Sequence, residues 1–581
     1  MNILGLNVFH ADSSACLVQD GEVVAAVAEE RLGSRHKHFA GFPAGAIRSV
    51  LAEAGLSVRD IDYVAVGHNS RANLGAKIAY AARRPFDSAR STLTALRRFG
   101  QVNSLAERVS AEVGVPREEC RFQTVAVEHH LAHLASSFFT SPFEEAAGLS
   151  YDASGDFASA MFAHCKGNTI SILDRVMLPH SLGYFYTALC QFIGFDRFAE
   201  EYKVMGLAAY GEPKYLDLMS RMLTPTKNGQ FRLAHEYFSG LLSRPHHELV
   251  NADGDLVIPP LYSPALVAEL GAPRMRSEPL TQRDNDVAAS CQRHFEDVVM
   301  HSVRALHDRV PVDALVAAGG CALNGVTNAR ILRDTKFKRT YIHCAAGDDG
   351  TAVGAALYVW NVILKQPRSA PVWHPYWGPK HDEDRMEKAL RGAGLSFDRC
   401  GDRVVDVIAD HLTNGQVVGW YQGRSEWGPR ALGNRSILAH PGWPGMKDLI
   451  NTKIKRREAF RPFAPSILAD RVGEYFEQNV ESPFMMHVVR IREERRKELA
   501  AVTHQDGTGR LHTVTRAANP LYYELISAFE RRTGTPVLLN TSFNENEPIV
   551  DTPEQAVDCF VRNDIDVLCL GSLVSVKRRG A

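Results

Sequence analysis

In VEHHLAHLASSFF, His129 and His133 stand four residues apart. On a helix their imidazoles share one face and can meet one ion, while His130 points ~100° away. Such a pair serves as readily in a hydrogen-bonded core, so the carboxylates elsewhere in the chain add the weight. Asp152 in LSYDASGD and Asp348 in CAAGDDGTAVGAA both lie beside glycines, where backbone approaches a ligand closely. Two imidazoles and two carboxylates suit iron, zinc or manganese better than calcium, and spacing leaves those three open.

Two further groups of residues suit phosphate. AAGGCALN places Gly319 and Gly320 between an apolar strand and a helix, where amide N–H groups and the helix dipole favour an anion. The segment from Arg424 to Arg461 holds nine basic residues (Arg424, Arg430, Arg435, Lys447, Lys453, Lys455, Arg456, Arg457, Arg461) against Glu426, Asp448 and Glu458, a local excess of +6. Its charges alternate with structural punctuation, GRSEWGPRALGNRSILA and FRPFAPS, that long solvated helices lack, which favours a shaped pocket. Arginine forks match phosphate oxygens in two-point fashion and lysine adds a point charge, so this chemistry fits a triphosphate or an acyl phosphate. Arg510 in HQDGTGRLHTV and the run Asn540-Thr541-Ser542-Phe543-Asn544 add polar groups at glycine-rich or strand-end positions.

The elements that must position these residues alternate between strand and helix. Ile3 to Asn7, Ser14 to Gln19 and Val23 to Ala28 read as strands, with Asp20-Gly21 a hairpin signal. A helix over Ala44 to Gly55, a strand over Tyr63 to Val66, a basic helical stretch, a strand over Thr124 to Val127 and the helix from His129 follow. Leu315 to Ala318 forms a strand and Leu323 to Leu332 a helix. In QPRSAPVWHPYWGPK the pattern breaks. The reading is therefore α/β, with a first domain over 1–365, a linker over 366–375 and a second domain over 376–581. In the latter, Gln416 to Tyr421, Pro536 to Leu539 and Val567 to Leu570 read as strands and Met446 to Lys453 as helical. No internal repeat is visible.

With 581 residues the chain exceeds one hydrophobic core. Its 66 Lys+Arg against 67 Asp+Glu give a net charge of -1, which speaks against nucleic acid or an anionic membrane as a partner. The ten cysteines are scattered, none in a Cys-x-x-Cys pair, and read as reduced thiols. The N-terminus lacks the basic and apolar regions of a signal peptide, and no apolar run reaches ~18 residues, so a cytoplasmic location is expected.

FHADSSA, EHHLAHLASS, SYDASGD, EEYKVMGLAAYG, GGCALN, GDDGTAVGAA, WGPRALGNRSILA, FRPFAPS, DGTGRLHTV and LLNTSFNENEPIV, in that order from Ile3 to about Ser575, together resemble the O-carbamoyltransferases of antibiotic and nodulation-factor biosynthesis. The resemblance implies an N-terminal domain similar to the Kae1 branch of the actin/hexokinase/Hsp70 fold and a C-terminal domain similar to the YrdC fold. It also implies a reaction in two halves. Carbamoyl phosphate loses phosphate, the carbamate attacks the α-phosphate of ATP to give carbamoyl-adenylate and pyrophosphate, and the intermediate then carbamoylates a hydroxyl of a small molecule as AMP leaves.

By position, the resemblance implies His129, His133, Asp152 and Asp348 as ligands of a divalent transition metal, iron(II) ahead of zinc or manganese, with Mg2+ accompanying ATP. Asp349 is the less favoured of its pair. Arg430, Lys455, Arg461, Arg510, Asn540 and Ser542 match residues for ATP and carbamoyl phosphate. Gly319, Gly320 and Asn324 occupy the nucleotide-binding turn, and His10 is the residue that takes the acceptor proton. A homodimer is compatible with this reading. A tRNA-modifying, threonylcarbamoyl-type enzyme is the alternative, and the charge of -1 counts against it.

Overall fold

Asp20 and Gly21, at φ 49° and 90°, close the tight turn that pairs Gln19 with Glu22. In the computed structural model, which describes residues 1–9, 11–33, 36–83, 104–241 and 256–577, this hairpin lies at the edge of a five-stranded sheet. The strands are β1 (Asn2–Asn7), β2 (Ser14–Gln19), β3 (Glu22–Ala28), β4 (Tyr63–Val66) and β5 (Gln123–Ala126), ordered β3-β2-β1-β4-β5. β2 and β3 add antiparallel on one side of β1, and β4 and β5 add parallel on the other.

The same plan recurs later in the chain. β6 (Glu145–Gly155) carries β7 (Ala158–Lys166) and β8 (Thr169–Met177) as antiparallel neighbours, and β11 (Ala314–Ala318) and β12 (Arg339–Ile342) as parallel ones. A short hairpin, β9 (Leu223–Pro225) with β10 (Phe231–Leu233), stands apart. The duplication is topological, and the sequence carries no repeat that announces it. Helix His129–Phe138 packs on β6 and β11, helix Thr351–Tyr358 packs on β1 and β2, and the two helices pack on each other. Their contact needs Gly354, because a Cβ there would lie 1.7 Å from the Ala132 carbonyl oxygen. This glycine of GDDGTAVGAA thus serves helix packing.

Contacts divide the chain into two compact units, Met1–Glu30 with His36–Val372, and Arg31–Arg35 with Trp373–Ala581. No helix or strand falls between Ile363 and Glu383, yet the start of that stretch is firmly held. Arg368 donates to the carbonyls of Phe138, Ser141 and Phe143 and stacks over the Phe138 ring at 4.5 Å.

The second unit is built on nine strands: β13 (Asp398–Arg399), β14 (Val418–Tyr421), β15 (Arg435–Ala439), β16 (Ala464–Leu468), β17 (His487–Arg490), β18 (Thr508–Val514), β19 (Val537–Ser542), β20 (Val567–Leu570) and β21 (Leu573–Val576). Their order is β13-β21-β20-β14-β15-β19-β16-β18-β17. Alternate residues of one strand feed opposite cores. Val567 and Cys569 pack with Ile408, Leu525 and Phe529, whereas Leu568 and Leu570 pack with Leu390, Val557 and Phe560. A strand buried on both faces reads as the continuous apolar run seen in VLCL. Both units are α/β. No helix of the described residues is long and apolar enough to cross a membrane, and all ten cysteines are free.

Candidate active sites

Helix His129–Phe138 begins at the first of the two histidines, and the i, i+4 spacing puts both rings on one face. Their Nε2 atoms lie 3.0 Å apart. Asp152, in the last part of β6, brings Oδ2 to 3.2 Å from His133 Nε2. Asp348, in the turn before helix Thr351–Tyr358, brings Oδ1 to 3.4 Å from His133 Nε2 and 3.5 Å from His129 Nε2. One ligand atom from each of the four lies within 4.8 Å of all the others. His130 turns away to Ser150, 2.7 Å from its Nδ1, as the helical angle requires. Burial alone would lower the His133 pKa, but hydrogen bonds and charge from Asp152 and Asp348 outweigh it and lift the group to about 9. The same field attracts any cation placed among these atoms.

The cluster is shaped by its neighbours. A Cβ on Gly155 would sit 1.9 Å from His129 Cδ2, so the glycine makes room for the ring. Nothing in the sequence marks this glycine off from its fellows. Gly319, at φ 94°, turns the chain after β11 so that the Gly320 amide donates to Asp152 Oδ2 at 2.8 Å. Asn324 caps helix Gly325–Asp334 through Thr327 N and exchanges two hydrogen bonds with Gln292. The glycine turn expected to meet a nucleotide therefore seats a carboxylate of the His/Asp cluster here, and a phosphate at this turn has to compete with Asp152 for the Gly320 amide.

A second acid–histidine group, Asp12, Glu30 and His38, was not anticipated, since its members follow no spacing rule of a helix or strand. Asp12 Oδ1 lies 2.7 Å from His38 Nδ1, and Glu30 Oε2 accepts from His38 N at 2.6 Å. Asp349 faces this group: burial, then the charges of Asp12 and Glu30, raise its carboxyl to about 8. His10, expected as the acceptor base, lies outside the described residues. For His38, burial acts downward, but the charge and hydrogen bond of Asp12, then Glu30, raise it to about 9. A histidine raised from ~6.5 contributes stability that is complete below pH ~6.5 and disappears as pH rises through about 9. With 27% of the side chain exposed, the effect is about 1–3 kcal/mol. Urea unfolding at pH 6.5 and pH 9 is expected to show a larger alkaline loss in the parent than in Asp12→Asn. An equal loss in both would remove this pair as the cause.

In the second unit the Glu426 carboxylate gathers the amides of Leu432, Asn434 and Arg435 at 2.7, 2.8 and 3.1 Å, folding the loop that presents Arg430. Asn540 on β19 ties the same loop down, donating to Ala431 O at 3.1 Å and to Ser466 Oγ at 3.0 Å. Arg510 on β18 faces Arg430, Arg461 and Arg457. Burial, then their like charge, push its pKa well below that of a free guanidinium. Arg510 thus feels the charge of three other guanidiniums, of which Arg457 is held by Asn451 Oδ1 at 2.8 Å and Arg461 is paired with Glu458 at 3.7 Å, and this local excess of positive charge suits a polyanion.

The +6 run does not converge as a whole. Arg435 is fully buried, donates to the carbonyls of Gln422, Gly423, Asn434 and Asp551, and lies 3.6 Å over the Tyr421 ring. Arg424 holds the carbonyls of Trp377 and Gly378. Lys455 is buried, and its ammonium contacts Ser542 O and Oγ and Asn544 O and Oδ1 at 2.5 to 3.2 Å. Lys455 and Ser542 thus meet each other, while Arg430, Arg461 and Arg457 lend their charge to Arg510; Arg457 belongs to the basic run read from the sequence but is not among the residues the resemblance implies.

Comparison with known proteins gives a family match in both halves. The model described as "Carbamoyltransferase N-terminus" matches residues 2–357 and "Carbamoyltransferase C-terminus" matches residues 409–577. An uncharacterized Synechocystis protein, sll1178, is 39% identical over 99% of this chain and 97% of its own. Nodulation protein NolNO of Sinorhizobium fredii is 38% identical over 98% of this chain and 80% of its own. A 3'-hydroxymethylcephem-O-carbamoyltransferase of Streptomyces clavuligerus is 34% identical over 44% of this chain and 46% of its own.

Proposed function

The chain belongs to the carbamoyltransferase family and is an enzyme of that kind, and from this premise we propose that it converts carbamoyl phosphate and ATP to carbamoyl-adenylate and carbamoylates a hydroxyl of a small-molecule natural product. The observation that carries the reading is the guanidinium cradle of Arg430, Arg457, Arg461 and Arg510 within the matched C-terminal half. Such crowding of like charge is costly without an anion, and a bound triphosphate or acyl phosphate relieves it. The cephem relative, an O-carbamoyltransferase by name, supports a hydroxyl acceptor.

In this scheme the cradle neutralises carbamoyl phosphate and Mg2+-ATP; water hydrolyses carbamoyl phosphate to carbamate and inorganic phosphate, and a carbamate oxygen then attacks the α-phosphorus of ATP as pyrophosphate leaves. Lys455 orders the Ser542–Asn544 strand end, and Asn540 holds the Arg430 loop at the cradle. In the N-terminal unit, which we read as Kae1-like from the motif resemblance and whose duplicated sheets are compatible with that fold, the hydroxyl attacks the carbamoyl carbon, His10 takes its proton and AMP leaves. We assign the C-terminal unit to the YrdC-like class.

His129, His133, Asp152 and Asp348 fit a divalent transition metal, iron(II) first and zinc or manganese next. Two facing imidazole nitrogens and two carboxylates within 4.8 Å form a mixed N/O donor set, and the two carboxylates favour positive charge among them. When bound, the metal supplies Lewis-acid polarisation of a carbonyl or phosphoryl oxygen. Asp152, seated by the Gly320 amide, keeps its carboxylate turned to the histidines.

Purified protein is expected to release pyrophosphate from ATP only when carbamoyl phosphate is present, and with no acceptor added. A screen of hydroxylated metabolites should then give a product heavier by one carbamoyl group. Pyrophosphate release independent of carbamoyl phosphate would refute the adenylate route.

A further inference from the structure

The helix carrying both histidines starts at His129, and its N-cap residue, Glu128, makes no capping hydrogen bond with its side chain. The Glu128 carboxylate is held instead by Arg175 Nε and Nη2 at 2.9 and 2.8 Å and by Asn73 at 3.0 Å. The first amides of a helix have no partner within the helix, and a carboxylate placed there gains from both hydrogen bonding and the dipole. Here that carboxylate comes from the far end of β6. Asp156 Oδ2 accepts from His129 N at 2.8 Å and from Asn69 N at 2.8 Å, and Oδ1 lies 2.7 Å from His68 Nδ1.

Asp156 is unusually constrained. Its side chain is 0% exposed, and its backbone sits at φ 50°, a left-handed conformation that few residues with a side chain adopt. It comes one residue after Gly155, which leaves space for the His129 ring, and four after Asp152. One short segment thus delivers a carboxylate to the His/Asp cluster, room for an imidazole and the anchor of the helix bearing both imidazoles. His68 and Asn69 follow β4 in the other sheet, so the same carboxylate ties that sheet to the start of the helix.

We propose that Asp156 is the positioning residue of the metal centre: through the His129 amide it fixes the first helical turn, and so the distance of both histidines from Asp152 and Asp348, with His68 as its partner. The inference rests on the metal-centre reading. Asp156 is not among the four clustered donors and acts through the backbone it holds.

Titration of metal-free protein with Co2+, followed by visible absorption, tests it. The parent is expected to bind Co2+ saturably with ligand-field bands that His133→Ala lacks; a parent without such binding overturns the metal-centre reading and this inference together. Asp156→Asn keeps the shape but exchanges one acceptor oxygen for an amide. It is expected to bind Co2+ about 10–100-fold more weakly with displaced bands, at unchanged far-ultraviolet circular dichroism. His68→Gln should shift affinity and bands in the same direction by a smaller factor, and it decides the matter alone where Asp156→Asn fails to fold. Parental affinity and spectrum in both variants, alongside normal Co2+ binding by the parent, would overturn the role of Asp156 and leave the metal centre standing.

Discussion

Arg510→Met is expected to abolish pyrophosphate release while making the ligand-free protein more stable. Arg510 is crowded by Arg430, Arg461 and Arg457, and burial with like charge pushes its pKa well below the ordinary guanidinium range. That depression is a cost to the folded state. A methionine of similar length keeps the apolar contacts and removes the repulsion, which should gain about 1–2 kcal/mol in the absence of anions. Function moves the other way. Losing one forked donor from a polyanion site costs ~10²–10³-fold in rate where the donor meets developing charge, and the remaining cations do not reproduce the fork. Inorganic pyrophosphate should raise the melting temperature of the parent and have much less effect on the variant, because binding to the folded state alone is what stabilises. A variant that melts lower than the parent without ligand and still releases pyrophosphate at the parental rate would place the activation chemistry elsewhere.

The contrast between Arg510 and Arg435 shows where sequence reading stops. Both are arginines that follow closely on glycines. Arg510 meets three other cations, whereas Arg435 spends its fork on four backbone carbonyls. What separates them is strand pairing and burial, which depend on partners a hundred residues away, such as Asp551. Local rules fared better where the chemistry is local. The i, i+4 rule placed His129 and His133 on one face, the helical angle sent His130 away, and Asp20-Gly21 gave its hairpin. The ten motifs taken in order identified the family that the comparisons then showed.

The glycines divide in the same way. A glycine is visible in sequence, but its reason is not: Gly354 admits a neighbouring helix, Gly155 admits a histidine ring, and Gly320 supplies an amide to a carboxylate. The duplicated sheet plan of the N-terminal unit escaped the sequence because strand order is a property of long-range pairing and needs no residue-level repeat. Glu30 and His38 escaped for the same reason, since the chain brings them to Asp12 only after folding.

His133→Ala is expected to separate the two half-reactions. His133 is buried, lies within 3.4 Å of both Asp152 and Asp348, and is 3.0 Å from His129, so it is the member in contact with all three others. Its removal leaves two carboxylates facing one imidazole, and a void where the ring stood. A stability loss of about 1–3 kcal/mol follows from the unpaired buried charge. Three donors bind a transition metal far less tightly than four, and elemental analysis of the variant should find little metal retained through dialysis. Carbamoylation of the hydroxyl acceptor should fall by ~10³-fold or more, because the polarising cation and the order it imposes on the cluster are lost together. On the proposed reading, pyrophosphate release from ATP and carbamoyl phosphate depends on the arginines of the other unit, and it should stay within about twofold of the parent. Measuring metal, pyrophosphate and carbamoylated product on one preparation makes each failure distinct. Undiminished metal removes His133 from the ligand set, equal loss of pyrophosphate and product shows that the cluster supports both steps or the fold itself, and full transfer without metal takes the cation out of the chemistry.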